Sequence, residues 1–163
     1  MTKNGTKDTI CGKLKIDKMQ LSDLPEIMCI ETLCFKAPWK LNYFETELDY
    51  SDSTSLTVRL DNKIIGYIVL RTFVDEVHIM NIAVAPDYRT KGIATKILKY
   101  VFENISKDMS MLLEVRQSNI AAQNLYKKMG FTCLYTRKAY YDDGENAIVM
   151  VKGYDNITKE GKK

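Results

Sequence analysis

The stretch Asn81–Leu98, NIAVAPDYRTKGIATKIL, decides the fold. It begins with the apolar residues Ile82–Val84, which are typical of a buried strand. Pro86 and the aspartate after it open a turn, and helical periodicity follows Arg89. A strand that leads through a short turn into a helix predicts a mixed α/β architecture.

Cations crowd the start of this predicted helix. Arg89, Lys91 and Lys96 fall in its first turns, where the positive end of the helix dipole disfavours each of them by about 0.3–1 kcal/mol. Gly92 costs about 1 kcal/mol more than an alanine would. A sequence that breaks two helix rules at one end indicates a bound anion. We therefore predict that backbone N–H groups near Lys91–Thr95 hold a phosphate-bearing ligand.

The composition is that of a single globular domain. The chain has 163 residues, of which 45% are hydrophobic and 28% charged, enough to build a proper core. Its net charge of +3 comes from lysines spread along the whole chain, which predicts no nucleic-acid partner. No stretch approaches about 18 apolar residues, and the first residues lack the apolar core of a signal peptide. We expect a cytoplasmic protein without a membrane segment.

The cysteines do not form a metal-binding pattern. The four cysteines show neither CxxC nor Cys/His ligand spacing, and the chain has a single histidine. Cys29 and Cys34 fall in a predicted apolar helix, where we expect buried, reduced packing residues. The sequence therefore predicts no metal site.

Periodicity predicts the element order β-α-α-β-β-β-α-β-α-β-β, within one domain at residues 13–153 between flexible tails at 1–12 and 154–163. The predicted strands cover residues 14–19, 55–60, 63–73, 77–84, 109–115, 131–141 and 147–151. The predicted helices cover 22–33 with Ser22 as cap, 41–50, 89–105, and 119–129 with Gly130 as cap. Together they predict an α/β (α+β) fold with a mixed, mostly antiparallel sheet of about seven strands and about four helices on both faces.

Three side chains are candidates for chemistry. Glu114 lies in the apolar run MLLEVR, where a carboxylate is either used or paired, with Arg116 as the expected partner. Tyr126 is either a core tyrosine with a satisfied hydroxyl or a proton donor. His78 begins a strand with apolar alternate positions, where a packing role is the alternative to catalysis. The residues by themselves leave each alternative open.

Four stretches of sequence resemble the GNAT superfamily of N-acetyltransferases. Arg89-x-x-Gly92-x-Ala94 resembles its acyl-CoA pyrophosphate loop. LEVRQSNIAAQNLYKKMGF, residues 113–131, and HIMNIAV, residues 78–84, resemble RimI-type and archaeal protein N-terminal acetyltransferases. RKAYYDDGENAIVM, residues 137–150, is similar to archaeal and eukaryotic α-amino acetyltransferases in its YY-x-DGE pattern. The resemblance covers residues 13–152 and implies the GNAT fold.

The resemblance also implies a role for each matching residue. Glu114 would be the general base, helped by His78 through water, and Tyr126 the general acid. Acetyl-CoA would be bound by Ile82, Ala83, Val84, Asn119 and Tyr126, and its pyrophosphate by Arg89, Thr90, Lys91, Gly92, Ile93, Ala94 and Thr95. The substrate would be contacted by Phe35, Pro38, Trp39, Tyr140 and Tyr141.

The reaction that the resemblance implies is acetyl transfer from acetyl-CoA to a protein N-terminus, and it requires no metal. Protein N-termini as substrates also imply that the enzyme works near the ribosome. An α-amino group has a pKa of about 7.7–8.0, so roughly 10% is neutral at pH 7, against under about 0.1% for lysine. The alternatives are a RimI-like enzyme for a ribosomal protein, an acetyltransferase for lysine or a small amine, and a non-catalytic acyl-CoA-binding regulatory subunit. Neither the preferred N-terminal residues nor the oligomeric state follows from the sequence.

Overall fold

The computed structural model describes residues 12–153 and has the predicted order of strands and helices. The strands are β1 (Leu14–Lys18), β2 (Ser53–Leu60), β3 (Lys63–Phe73), β4 (Glu76–Val84), β5 (Ser110–Arg116), β6 (Thr132–Arg137) and β7 (Ala147–Lys152). The helices are α1 (Leu24–Cys34), α2 (Leu41–Asp49), α3 (Ile93–Asn104) and α4 (Ile120–Lys128). Apart from Gly12, the predicted tails lie outside the described residues.

The strands form a seven-stranded sheet in the order β1-β2-β3-β4-β5-β7-β6. β1 with β2, β5 with β7 and β6 with β7 pair antiparallel, whereas β4 and β5 pair in parallel. The predicted hairpin turn between β2 and β3 has left-handed backbone at Asp61 (φ +48°) and Asn62 (φ +72°), residue types that tolerate it. The sheet confirms the mixed α/β fold class.

Contacts divide the chain into two compact units. The first contains Ile82–Ile97 and the described residues up to Val69. Its core joins α1, α2 and β3, where Ile27, Phe44 and Tyr67 are fully buried. The rings of Phe44 and Tyr67 meet edge to face with centroids 5.6 Å apart.

The second unit contains Leu70–Asn81 and the described residues from Leu98 onward. Apolar side chains alternate along β5, so that Met111 and Leu113 are buried. Phe131, which follows α4, is 2% exposed and its ring centroid lies 6.2 Å from that of Phe102 on α3. This core supports β5 and α4, which contain candidate catalytic residues.

The start of α1 differs from the prediction. Ser22 does not cap this helix but lies in a 3-10 turn, Leu21–Asp23. Asp23 accepts the Gln20 N–H at 2.8 Å and binds Arg59 at 2.6 Å. A buried carboxylate with two donors therefore fixes the entry to the helix, and the serine hydroxyl is not needed.

Two further expectations are wrong. β6 ends at Arg137 rather than near residue 141, because Ala139 adopts φ +48° and donates its N–H to the Asn146 side chain at 2.9 Å. Cys29 is exposed rather than buried, because it lies off the face of α1 that buries residues such as Ile27 and Ile30. Apart from the start of α3, the other boundaries shift only slightly.

Candidate active site

The basic loop before α3 has a different conformation from the one expected. The helix begins at Ile93, so placing Arg89 and Lys91 in its first turns was wrong. Thr90 (φ +60°) and Gly92 (φ +78°) both have left-handed backbone, which keeps this loop out of the helix. Gly92 therefore does not weaken a helix interior; it is the residue type that such a backbone favours.

The start of α3 nevertheless has the properties of an anion site. The Gly92 carbonyl accepts the Lys96 N–H at 3.1 Å, so the N–H groups of the first turn precede any intrahelical acceptor. A Cβ built on Gly92 meets nothing within 4 Å, so the space beside the loop is open. The ammonium group of Lys91 lies 5.9 Å from the Tyr88 ring centroid. Free N–H groups, open space and nearby cations fit a phosphate-bearing ligand.

The end of β4 is held tightly within the first unit. The Val84 carbonyl accepts the Arg89 Nε–H at 3.2 Å and the Cys34 thiol at 3.5 Å, which uses both of its lone pairs. Gly66 on β3 lies so close that an added Cβ would be 2.9 Å from the Ala83 carbonyl. The resemblance implies that the backbone of Ile82–Val84 contacts acetyl-CoA, but the Val84 carbonyl already accepts two hydrogen bonds from the protein.

The predicted substrate loop connects α1 and α2. Phe35 and Pro38 are exposed, whereas Trp39 is half-buried. The Trp39 ring centroid lies 5.3 Å from that of Phe44 and 6.2 Å from that of Tyr43. The loop thus has an aromatic anchor at its end and exposed residues before it.

Glu114 has a different partner from the one expected. Its side chain is 31% exposed, and its carboxylate accepts the guanidinium of Arg137 at 3.1 Å. Arg116 instead binds Asp143 at 2.9 Å and Glu145 at 2.7 Å. The expected Glu114–Arg116 ion pair is wrong because the loop before β7 brings two carboxylates to Arg116. Glu114 keeps an exposed carboxylate.

His78 shares a face of the sheet with Glu114. It pairs with Leu112 across the parallel β4–β5 ladder, and Glu114 follows two residues later on β5. At about 3.3 Å per residue and about 4.8 Å between strands, the two Cα atoms are about 8 Å apart, and water can link such side chains. His78 Nε2 lies 3.2 Å from the Glu76 carboxylate, and its ring lies 4.8 Å from that of Phe73.

Tyr126 is buried in the second unit but keeps an available hydroxyl. It is 7% exposed, and its ring meets Phe131 edge to face at 5.8 Å. Burial, with a contribution from Tyr141, raises the pKa of Tyr126 to about 12. Within residues 12–153 its hydroxyl has no hydrogen-bond partner, unlike the satisfied core tyrosine weighed as the alternative.

The two predicted peptide-binding tyrosines lie beside these groups. Tyr140 and Tyr141 meet edge to face at 5.1 Å. The guanidinium of Arg137 lies 4.8 Å over Tyr140, and that of Arg116 lies 3.9 Å over Tyr141. Burial raises the pKa of Tyr141 to about 12; the Arg116 charge opposes this rise and the Glu114 charge adds to it.

A polar network that the sequence analysis missed fixes the loop carrying both tyrosines. Glu145 accepts the hydroxyl and the N–H of Ser118 and the guanidinium of Arg116, and these bonds lower its pKa to about 2. The Glu145 N–H and then Arg116 lower the pKa of Asp143. Both acids belong to the DDGE segment, and acidic residues on either side of a glycine are the sequence feature that could have predicted this network. The network attaches the loop to the end of β5.

The described residues thus gather the predicted groups within each unit. The second unit brings together Glu114, Tyr126, Tyr140 and Tyr141, with His78 on the adjacent strand; the first contains Ile82–Val84, the 89–95 segment and Phe35, Pro38 and Trp39. Asn119 caps α4 by accepting the Ala122 N–H at 3.1 Å, which leaves its amide nitrogen for a ligand. Among residues 12–153 no cluster of acidic, histidine and cysteine residues could hold a metal. None of the described helices is long and apolar enough to cross a membrane.

Comparison with known proteins identifies related chains. The model of the acetyltransferase (GNAT) family matches residues 24–131. A Bacillus subtilis protein provisionally named a [ribosomal protein bS18]-alanine N-acetyltransferase is 34% identical over 142 residues, 85% of this chain and 94% of that protein. An N-alpha-acetyltransferase of Sulfurisphaera tokodaii is 30% identical over 151 residues, 83% of this chain and 90% of that protein. The crystal structure of the Escherichia coli ribosomal-protein-S18-alanine N-acetyltransferase superimposes with a TM-score of 0.79 at 30% identity, covering 86% of this chain and 93% of that one.

Proposed function

The chain belongs to the acetyltransferase (GNAT) family, and from this premise we propose that it acetylates the α-amino group of protein N-termini. It is an N-acetyltransferase, which sets aside the non-catalytic subunit considered from the sequence. Relatives named for a ribosomal-protein alanine and for N-alpha acetylation support the choice of an α-amine over lysine or a small amine.

One observation carries the proposed mechanism: the second unit places a carboxylate, a protonated phenol and two aromatic side chains in one cluster. Arg137 binds Glu114 at 3.1 Å and lies 4.8 Å over the Tyr140 ring, which meets the Tyr141 ring at 5.1 Å. Tyr141 in turn contributes to the raised pKa of Tyr126. A carboxylate can remove the proton that the amine loses, and a phenol can supply one to a leaving sulfur. Aromatic side chains beside both suit a peptide backbone.

On the amine side, Glu114 acts as the base through water. The α-amine is already partly neutral at pH 7, so a carboxylate with an ordered water suffices to accept its proton. His78 lies on the same face of the sheet and can hold that water from the neighbouring strand. Arg137 binds one carboxylate oxygen of Glu114, which leaves the other oxygen for the water.

On the leaving-group side, Tyr126 supplies a hydroxyl that is always protonated. With a pKa of about 12 it stays neutral throughout the physiological range, but it is a weaker acid than an exposed tyrosine. Complete transfer of the Tyr126 proton to the leaving thiolate is energetically unfavourable, because the thiol has a pKa of only about 8.5. Tyr126 therefore acts first as a hydrogen-bond donor to the charge that develops on sulfur.

Acetyl-CoA, which enzymes of this family use, supplies the acetyl thioester. The N–H groups and cations around Gly92, in the segment Arg89–Thr95, would hold its pyrophosphate. The strand residues Ile82–Val84 and the amide of Asn119 would contact the rest of the cofactor. Phe35, Trp39 and the tyrosine pair would contact the substrate. We also propose a cytoplasmic location, with ribosomal proteins among the substrates.

Mass spectrometry of a peptide panel tests the proposed function. The peptides begin with Ser, Ala, Met-Leu or Met-Glu, and matched controls have a blocked N-terminus and an internal lysine. We expect a mass increase of about 42 Da, the net gain of C₂H₂O when an acetyl group replaces one amine hydrogen, on the free N-termini only. Acetylation restricted to the blocked, lysine-bearing peptides would refute the α-amine assignment, and a preference for a ribosomal-protein N-terminus would favour the RimI-like alternative.

A further inference from the structure

A buried carboxylate that the proposed mechanism does not use lies in α1 of the first unit. Glu31 is 1% exposed, although Leu33, two residues on, is 70% exposed. Burying a carboxylate is strongly unfavourable unless hydrogen bonds replace its water. The hydrogen-bond donors that contact the Glu31 carboxylate therefore indicate its structural role.

Glu31 links the loop between α1 and α2 to β3. One carboxylate oxygen accepts the backbone N–H of Trp39 at 2.7 Å, and the other accepts the hydroxyl of Tyr67. Tyr67 is fully buried in the middle of β3 and is therefore a fixed point. One buried carboxylate thus joins the backbone of the loop to a fixed side chain of the sheet, so this link restrains the end of the loop.

Aromatic packing reinforces the same link. The Trp39 ring lies 5.3 Å from that of Phe44, and Phe44 in turn lies 5.6 Å from Tyr67. Glu31, Trp39, Phe44 and Tyr67 thus form a closed set of contacts, which we call the Trp39 anchor. It restrains both the backbone and the side chain of Trp39.

The beginning of the loop is restrained separately. The Phe35 N–H donates to the Glu31 carbonyl at 3.1 Å, and the Cys34 thiol donates to the Val84 carbonyl at 3.5 Å. Between these points residues 35–38 are exposed. A segment held at both ends and exposed between them presents a preorganised surface to a ligand, which lowers the entropy cost of binding.

We propose that Glu31 is a positioning residue that fixes the 35–39 loop and thereby sets which peptide N-termini the enzyme accepts. The inference rests on the proposed function, in which this loop contacts the substrate. Glu31 does not touch the reacting atoms in this scheme. Its effect is on peptide binding and on discrimination between peptides, and it leaves acetyl-CoA binding alone.

Trp39 is the only tryptophan of the chain, so its fluorescence reports on the loop directly. The test variants are Tyr67→Phe, which removes the hydroxyl donor, and Glu31→Met, which removes both acceptor oxygens and keeps a side chain of similar length. The matched controls are Tyr43→Phe, whose ring contacts Trp39 from an exposed position, and Glu45→Gln on the exposed side of α2. Losing one hydrogen bond should raise acrylamide quenching of Trp39 by about twofold or more in the test variants, and not in the controls.

Kinetics then test specificity. In both test variants we expect the peptide KM to rise about 2- to 12-fold and the acetyl-CoA KM to stay unchanged. The ratio of kcat/KM between the best and the worst peptide should fall. Quenching and peptide KM equal to those of the controls would overturn the proposal. An equal rise in both KM values, or loss of folding in both variants, would make Glu31 a core residue and would also overturn it. Quenching needs no substrate: if wild-type protein acetylates no peptide, the proposed function fails, whereas unchanged quenching refutes the Trp39 anchor alone.

Discussion

Replacing Tyr126 by phenylalanine separates catalysis from stability. The ring still packs on Phe131, and the missing hydroxyl leaves no broken hydrogen bond among the described residues. The free energy of unfolding should therefore change by less than about 1 kcal/mol. The donor to the leaving sulfur is lost, so kcat should fall about 100-fold, the low end for an acid catalyst, which corresponds to about 2.7 kcal/mol in the transition state.

Steady-state kinetics and thermal melts of wild-type, Tyr126→Phe and Tyr135→Phe proteins check this expectation. Tyr135 is 54% exposed on β6, so its variant controls for loss of a hydroxyl alone. A kcat within about threefold of wild type would refute the role of Tyr126 as hydrogen-bond donor to the leaving sulfur. Activity lost together with about 2 kcal/mol or more of stability would make it a structural residue instead.

The raised pKa of Tyr126 predicts how kcat and the free energy of unfolding depend on pH above neutrality. Since the pKa is about 12, kcat should show no loss of this proton below about pH 10. A pKa raised from 10.0 to about 12 stabilises the folded state fully below pH 10, and the gain is lost as the pH rises towards 12. That difference amounts to about 2–3 kcal/mol, so the Tyr126→Phe variant should lose less stability than wild type between these pH values, as chemical denaturation would measure.

Three further substitutions test other parts of the structure. Arg116→Met should release the loop at 138–146, because Asp143 and Glu145 in this loop lose the guanidinium that they bind. We expect the peptide KM to rise about tenfold and hydrogen exchange of the loop's backbone amides to increase. Gly92→Ala places a side chain at φ +78°, at a cost of about 1–2 kcal/mol, and should raise the acetyl-CoA Kd in calorimetry about tenfold with peptide KM unchanged. Gly66→Ala brings a Cβ to 2.9 Å from the Ala83 carbonyl and should destabilise the fold by about 1–3 kcal/mol in a denaturant titration. Wild-type values in any of these measurements would contradict the corresponding contact.

The fold was predictable where local periodicity decides it. The turn signal at Asp61–Asn62 predicted β3 with the bounds that the structure has, because these residue types tolerate left-handed backbone. The start of α1 was not predictable in the same way, because Asp23, the residue before it, binds Gln20 and also Arg59, which is 36 residues away. Periodicity describes neighbours along the chain, and an ion pair of this kind depends on a distant strand.

The partners of the site were harder to predict than its members. Glu114 and Arg116 share a strand face, which suggested that they pair, yet each binds a group from beyond residue 136. Local spacing shows which charges can be close, whereas the competing charges come from the returning chain. The DDGE segment showed two carboxylates next to a glycine, but only the folded loop reveals that they bind Arg116.

The proposed roles of Gly92 and Tyr126 belong to different steps of the reaction, acetyl-CoA binding and hydrogen-bond donation to the leaving sulfur. Gly92 and Glu31 belong to the first unit, so changes there should act on acetyl-CoA binding or on peptide binding. Tyr126 and Glu114 belong to the second, and changes at these two residues should act on kcat. Because the proposal assigns these residues to different steps, a Gly92→Ala, Tyr126→Phe double variant should combine the Kd of one with the kcat of the other. Strong non-additivity would mean that cofactor binding and proton donation depend on each other, and the roles would have to be assigned jointly.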